Sequence, residues 1–130
     1  MTVTPNTSLD HIMFVPSFGL NETIRASQVV QSMGGKPTDA SWILGELGVP
    51  SLALGFAAGN VGQQVESLLH QRNVTTDFIW VEGESRRNIV IICEDGSGQS
   101  TITDASLKFN QADIQTLIAQ YKNALSQTTC

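Results

Sequence analysis

The sequence predicts an α/β fold in which a layer of strands and helices carries a second, small antiparallel β-sheet. Short apolar runs rich in branched residues alternate with segments of helical periodicity, the pattern of strand and helix units around a parallel sheet. Other apolar runs follow one another without a helix between neighbours, which predicts a separate antiparallel sheet. Apolar residues make up 41% and charged residues 15% of the chain, a composition typical of a folded domain. Residues 1–130 are therefore predicted to form one domain.

The first predicted strands, residues 12–15 and 24–32, belong to the small sheet. A helix is predicted over residues 38–47, with Gly48 as its C-terminal stop. Its core face is predicted to consist of Ala40, Ile43, Leu44 and Leu47.

The next three elements are predicted to build the parallel layer. Residues 51–56 form a strand that leads into a helix over residues 61–72, which Asn60 would cap. Residues 78–81 form the following strand.

The last part of the chain returns to the small sheet and ends in a helix. Strands are predicted at residues 88–93 and 100–103, with a hairpin turn at residues 94–98. The final helix begins near Gln111, where Asn110 can satisfy free N–H groups of the first turn.

Charge and hydropathy exclude several classes of function. Twelve acidic and seven basic residues give a formal net charge of −5, and no basic run could neutralise successive phosphates of a nucleic acid. Residues 1–10 lack the pattern of a secretory signal, and no window approaches the roughly 18 apolar residues of a membrane span. We therefore expect a cytoplasmic protein that binds neither nucleic acid nor a membrane.

Cysteine and histidine are too sparse for a metal site. Cys93 lies in an apolar run and is predicted to be a core residue, whereas Cys130 is isolated. His11 and His70 lack neighbouring ligands and are interpreted as surface or packing residues.

An ordered set of short motifs covers most of the chain. The segments are Thr4-Pro5-Asn6-Thr7-Ser8-Leu9-Asp10, Arg25, Met33-Gly34-Gly35-Lys36, Leu47-Gly48-Val49, Gly55-Phe56, Gly59-Asn60-Val61-Gly62, Thr76-Asp77-Phe78 and Glu84-Ser85-Arg86-Arg87-Asn88. In this order and spacing they resemble the N-terminal part of a phosphofructokinase-B-type, ribokinase-like carbohydrate kinase. The likeness is greatest to the branch that acts on sugar phosphates, such as 1-phosphofructokinase and tagatose-6-phosphate kinase.

The resemblance implies a partial ribokinase-like, doubly wound α/β layer with a β-sheet lid that closes over the sugar. It also implies a homodimer formed through the lid sheet, and ATP and magnesium for the intact family enzyme. No cofactor and no catalytic residue is predicted in this chain, because the family's Gly-Ala-Gly-Asp-like string does not occur in it. The chain alone is predicted to be inactive as a kinase.

The resemblance assigns sugar-binding roles to residues near the start of the chain. Asp10 would accept hydrogen bonds from sugar hydroxyls, although a turn or helix-cap role is the alternative. Gly34 and Gly35 would let the backbone approach the ligand and hinge the lid. Lys36 would stand at a helix N-terminus beside the ligand, or be a solvated turn lysine.

The Arg86-Arg87-Asn88 motif is implied to face the same ligand. Arg86 stands where relatives with phosphorylated substrates hold a phosphate-binding arginine, and a guanidinium can bind phosphate in a bidentate manner. Because side chains alternate along a strand, only one of the two arginines can face the cleft, and Arg87 is predicted to be solvated. Asn88 would bind the sugar or hold the strand in register.

Two departures from the family pattern fall in the predicted site. Pro37 replaces a glycine and removes a backbone N–H, and Asp39 replaces an asparagine that could both donate and accept. Asp39 either competes with the ligand or only caps the helix. A catalytically silent sugar- or metabolite-binding or regulatory module is therefore the alternative function, and an interaction domain whose lid only dimerises is a third.

Overall fold

Two sheets and three helices make up residues 1–127, the part of the chain that the structure, a computed structural model, describes. Cys130 lies outside these residues. In chain order the elements are β1 (Thr2–Thr4), β2 (Ser8–Val15), β3 (Gln28–Gly34), α1 (Lys36–Glu46), β4 (Leu52–Ala57), α2 (Gly59–His70), β5 (Thr75–Trp80), β6 (Arg86–Cys93), β7 (Gln99–Thr103) and α3 (Gln111–Leu125).

The first sheet is parallel, with the strand order β1-β4-β5. Successive side chains of β4 point to opposite faces, so this strand contributes to both cores of the molecule. Ala53 and Ala57 pack with α2 in one core cluster, whereas Leu54 and Phe56 pack with Leu117 of α3 in the other. Helices thus cover both faces of the layer, and the predicted α/β class is confirmed.

The second sheet, here called the lid sheet, has the strand order β3-β2-β6-β7. Its outer pairs are antiparallel as predicted, but the central pair, β2 and β6, is parallel. The reason lies in the first sheet. Strands β1 and β5 are parallel and end at the same edge, so the connections at residues 5–7 and 81–85 send β2 and β6 off in the same direction.

The buried face of α1 differs from the prediction. Ile43 and Leu47 are 57% and 72% exposed, whereas Thr38 and Ser41 are fully buried. Thr38 Oγ1 donates to Thr4 Oγ1 at 2.6 Å, and Ser41 Oγ lies 2.6 Å from Thr2 Oγ1. The helix therefore packs on β1 through paired hydroxyls, which apolar periodicity does not register. Strand β1 itself was not predicted.

The predicted caps have different outcomes. Asn110 caps α3 as predicted, accepting from the N–H groups of Ala112 and Asp113. The prediction for Asn60 is wrong: α2 begins after Ala58, and the Val61 N–H donates to Glu84 Oε1 at 2.5 Å. A carboxylate from a distant loop has taken the place of the local cap.

The remaining sequence predictions concern the burial of Cys93 and the absence of a membrane span. Cys93 is a free thiol and only partly buried, so it lies at the edge of the core. None of the helices in residues 1–127 has the length and apolar character that crossing a membrane requires.

Candidate functional site

Four of the predicted site residues, Asp10, Gly34, Arg86 and Asn88, lie on one face of the lid sheet where it meets the N-terminus of α1. Ser8 of β2 pairs with Gly34 of β3 and with Arg86 of β6, and two residues further along β2 Asp10 pairs with Asn88. Residues that pair across neighbouring strands point to the same face of a sheet. We call the face that carries Ser8, Asp10, Gly34, Arg86 and Asn88 the ligand face.

Asn88 connects the polar groups of the ligand face. Its Nδ2 donates to Asp10 Oδ1 at 2.7 Å and to Ser8 Oγ at 3.2 Å. The side chain is 7% exposed, and its Oδ1 has no hydrogen-bond partner among the described residues. The buried Nε of Arg86 is likewise without a partner in residues 1–127. This face therefore holds one buried acceptor and one buried donor without partners among the described residues.

Gly34 is required for space at this point. A Cβ atom here would lie 2.2 Å from Ser8 Oγ and 2.3 Å from Asp10 Oδ1, closer than any real contact. The next residue, Gly35, has a φ of 92°, in the left-handed region that favours glycine. The two glycines let β3 turn into α1 directly beside Asp10.

The N-terminus of α1 faces this corner without a side-chain cap. The N-cap residue is Gly35, which has no side chain to accept a hydrogen bond from the first turn. Pro37 in that turn has no N–H group. Lys36 is the first residue of the helix and is exposed. The helix end thus leaves backbone donors and one cation near the ligand face.

Asp39 lies in the first turn of α1 and forms no capping hydrogen bond through its side chain. Burial and the negative charge of Asp10 raise the pKa of Asp39 from 3.8 to about 6. Asp39 also lines a groove of about 260 Å³ between the end of β3 and α1, together with Met33 and Trp42. Any stabilisation of the helix end by Asp39 therefore comes from its charge and not from a capping hydrogen bond.

Arg87, which was predicted to be solvated, lies apart from the site. Arg87 pairs with Leu9, points to the opposite face of the lid sheet and is exposed, in agreement with strand alternation. The binding roles of Asp10, Gly34, Gly35, Lys36, Asp39, Arg86 and Asn88 stay predictions.

Sequence patterns did not reveal the buried hydroxyls that hold the site in place. Thr7 Oγ1 donates to the Phe56 carbonyl at 2.7 Å, and Ser85 Oγ accepts from the Ala58 N–H at 2.9 Å. These bonds fix the starts of β2 and β6 on the end of β4. Ser8 could have been found, because it precedes Asp10 by the two-residue period of a strand.

A larger cavity of about 520 Å³ lies elsewhere, between the end of β5 and the start of α3. Trp80, Lys108 and Phe109 are among its lining residues, and it contains none of the predicted site residues. Because it contains none of these residues, its larger volume is not a reason to prefer it to the ligand face as the candidate site.

Comparison with known proteins identifies relatives over nearly the whole chain. The sequence profile described as pfkB family carbohydrate kinase matches residues 3–127. The chain is 34% identical over 120 residues to the 1-phosphofructokinase of Bacillus subtilis, covering 89% of this chain and 40% of that protein. It is 33% identical over 101 residues to a tagatose-6-phosphate kinase of Staphylococcus epidermidis, covering 78% and 32%.

A solved structure agrees with the fold as well. The crystal structure of a possible 1-phosphofructokinase from Thermotoga maritima matches with a TM-score of 0.91 at 36% identity, covering 99% of this chain and 42% of that one. The ribokinase-like fold class is thereby confirmed. The chain spans less than half the length of each of these relatives.

Proposed function

Because this chain belongs to the pfkB family of carbohydrate kinases, we propose that it is the sugar-phosphate-binding portion of such a kinase. The whole protein would transfer phosphate from ATP to a sugar phosphate. The observation that carries the proposal is the ligand face. There Asn88 donates a hydrogen bond to Asp10, and Asn88 Oδ1 and Arg86 Nε lack partners among the described residues.

The proposed role of Asp10 is to orient the sugar ring. An ionised carboxylate only accepts hydrogen bonds, so it selects for hydroxyl groups. The bond from Asn88 holds Asp10 Oδ1 and fixes the carboxylate plane, so the second oxygen can accept from the ligand. The free Asn88 Oδ1 would accept from a further hydroxyl.

The proposed role of Arg86 is to bind the phosphate group. Its side chain shares the ligand face with Asp10, and a guanidinium forms two parallel hydrogen bonds to a phosphate. Lys36 and the free N–H groups of α1 would add positive potential on the other side of the corner.

The kinase reaction of the family implies ATP and a magnesium ion for the intact enzyme. Within residues 1–127, no group of three or more His, Cys, Asp and Glu side chains is arranged to hold a metal ion. We therefore assign no metal ligand to these residues.

A catalytically silent sugar- or metabolite-binding or regulatory module is the second candidate function. Pro37 and Asp39 favour it, because the first removes a backbone donor at the helix entry and the second places a carboxylate next to Asp10. In this case the chain would still bind a ligand but would support no phosphate transfer.

We propose that the partner is a second copy of this chain, which pairs with the first through the lid sheet. The sheet exposes large apolar side chains on both faces: Val30 is 37% exposed on the ligand face, and Val29 and Ile102 are 48% and 55% exposed on the opposite face. A sheet with exposed apolar side chains on both faces is typical of an interaction surface.

The two arginines allow a matched test of the binding function. Titration calorimetry with fructose 1-phosphate, fructose 6-phosphate and tagatose 6-phosphate should detect binding of at least one of them. Arg86→Ala should weaken that binding by about 1.5 to 3 kcal/mol, the value of a hydrogen bond to a charged group. Arg87→Ala removes the same charge from the opposite face and should leave the affinity near that of the parent chain.

Two results would contradict the proposal. One is the absence of binding for all three sugar phosphates by a chain that circular dichroism shows to be folded. The other is an equal loss in both variants, which would mean that only the net charge matters.

A further inference from the structure

Two carboxylates lie near each other at the ligand site. Asp10 stands directly beside Gly34, α1 begins two residues later at Lys36, and Asp39 is in the first turn of that helix. We propose that Asp39 makes sugar-phosphate binding conditional on pH: the ligand binds when Asp39 is protonated and is repelled when Asp39 is ionised. This inference rests on the proposed function and specifies how the same site is regulated.

The hydrogen bonds distinguish the surroundings of the two carboxylates. Asp10 accepts a hydrogen bond from Asn88 Nδ2 at 2.7 Å. The Asp39 side chain forms no hydrogen bond with any described residue, and no side chain caps its helix. Burial and the charge of Asp10 both raise the pKa of Asp39, to about 6.

No other charged group compensates for Asp39 from the elements that pack against α1. Strands β1, β3 and β4 carry no ionisable side chain. On α2, Glu66 and His70 are both engaged with Thr76 of β5.

The cations nearby are either engaged elsewhere or exposed. Arg72 is paired with Glu46 and stacks on Trp42, with its guanidinium carbon 3.6 Å from the ring centre. Lys36 is exposed at the start of α1, and Arg86 lies on β6 across the ligand face. The repulsion from Asp10 therefore acts on Asp39 without a paired cation.

The two protonation states of Asp39 offer different chemistry to a ligand. A protonated carboxyl group donates one hydrogen bond and accepts others, as a neutral amide does. An ionised carboxylate only accepts, and its charge repels a phosphate a few Å away. The groove beside Asp39 gives solvent protons access to the side chain.

The test compares fructose 1-phosphate binding at pH 5.5 and pH 7.5 in the parent chain and in Asp39→Asn, by titration calorimetry at low salt. The phosphate group itself titrates with a pKa of about 6, but equally in both proteins, so it cancels in the comparison. We expect the ratio of Kd at pH 7.5 to Kd at pH 5.5 to be about fivefold larger in the parent chain than in Asp39→Asn.

Asp77→Asn is the matched control, since Asp77 is exposed on β5 and an amide can still accept from Gln120. It loses the same charge outside the site and should keep the pH ratio of the parent chain. Should Asp77→Asn lower the ratio as much as Asp39→Asn, a general charge effect would replace our inference.

The remaining outcomes separate this inference from the proposed function. Binding with equal pH ratios in the parent chain and Asp39→Asn would overturn the inference and leave the proposed function standing. Binding by Asp39→Asn at both pH values, with none by the parent chain at pH 5.5, would also overturn it, because protonation would not restore the site. No binding by any of the proteins would refute both.

Discussion

Among single residues, Asn88 carries the strongest indication of a ligand. The amide orientation is defined by chemistry, because turning it over would point its oxygen at the Asp10 carboxylate instead of the Nδ2 that now donates at 2.7 Å. This leaves a buried carbonyl oxygen without a partner among the described residues. Such a group costs about 1–3 kcal/mol of stability. A ligand hydroxyl that donates to Asn88 would offset this cost.

The raised pKa of Asp39 predicts a pH-dependent effect on stability. Its pKa is about 6 in the folded chain and 3.8 without the fold, so the folded state binds more protons between these values. The contribution of Asp39 to stability is therefore fully present below about pH 3.8 and is lost as the pH rises through about 6. Asp39→Asn should gain stability relative to the parent chain from pH 4 to pH 7.

The gain should be on the order of 1 kcal/mol, because Asp39 is only partly buried and solvent screens its repulsion with Asp10. Urea unfolding at both pH values measures it, and Asp77→Asn again serves as the charge control. A first-turn acid that only stabilised the helix end would give the opposite sign, with Asp39→Asn less stable at pH 7 than the parent chain.

At the scale of elements, the lid sheet shows how strand direction places the site. The parallel start of β2 and β6 aligns Ser8 with Arg86 and Asp10 with Asn88. The same register puts Ile12 and Phe14 on the ligand face and Ile89 and Ile91 on the other face. The sequence patterns predicted an antiparallel sheet, in which residues of β2 would face other residues of β6 than they do in the parallel pair.

The two faces of the lid sheet can be tested separately for self-association. If the sheet pairs two chains, sedimentation at tens of micromolar should detect a dimer. Phe14→Lys should shift it toward monomer if the ligand face forms the interface, and Ile102→Lys should do so if the opposite face does. A monomeric parent chain whose sedimentation neither lysine changes would refute lid pairing.

At the scale of the whole molecule, the proposed function assigns this chain one side of a two-substrate reaction. The ligand face carries polar atoms of Asn88 and Arg86 without partners among the described residues, and residues 1–127 present no cluster able to hold a metal ion. Phosphate transfer requires positioning and charge stabilisation of the transferring group. Under the proposed function, binding should be measurable in this chain without phosphate transfer. Its cytoplasmic location stays a prediction.

Purified residues 1–130 should consequently show no ATP-dependent phosphorylation of fructose 1-phosphate, fructose 6-phosphate or tagatose 6-phosphate. A coupled assay for ADP, with a mock preparation as the blank and a complete family kinase as the positive control, measures this. Turnover above the blank that Asp10→Ala abolishes would show that the chain by itself supplies the catalytic groups.

The sequence by itself determined the alternation of strands and helices, the cap at Asn110 and the glycines at 34 and 35, because these depend on periodicity, local hydrogen bonding and backbone freedom. It also indicated Asp10, Arg86 and Asn88 through the order of the family motifs.

Only the tertiary structure decided the features that depend on distant parts of the chain. It showed α1 packing on β1 through Thr38 and Ser41, Glu84 replacing Asn60 at the start of α2, and Asp39 acquiring Asp10 as its neighbour. Each of these contacts joins residues more than 20 positions apart. Local sequence patterns record propensity and periodicity, whereas burial, register and the partner of a charge are properties of the folded chain.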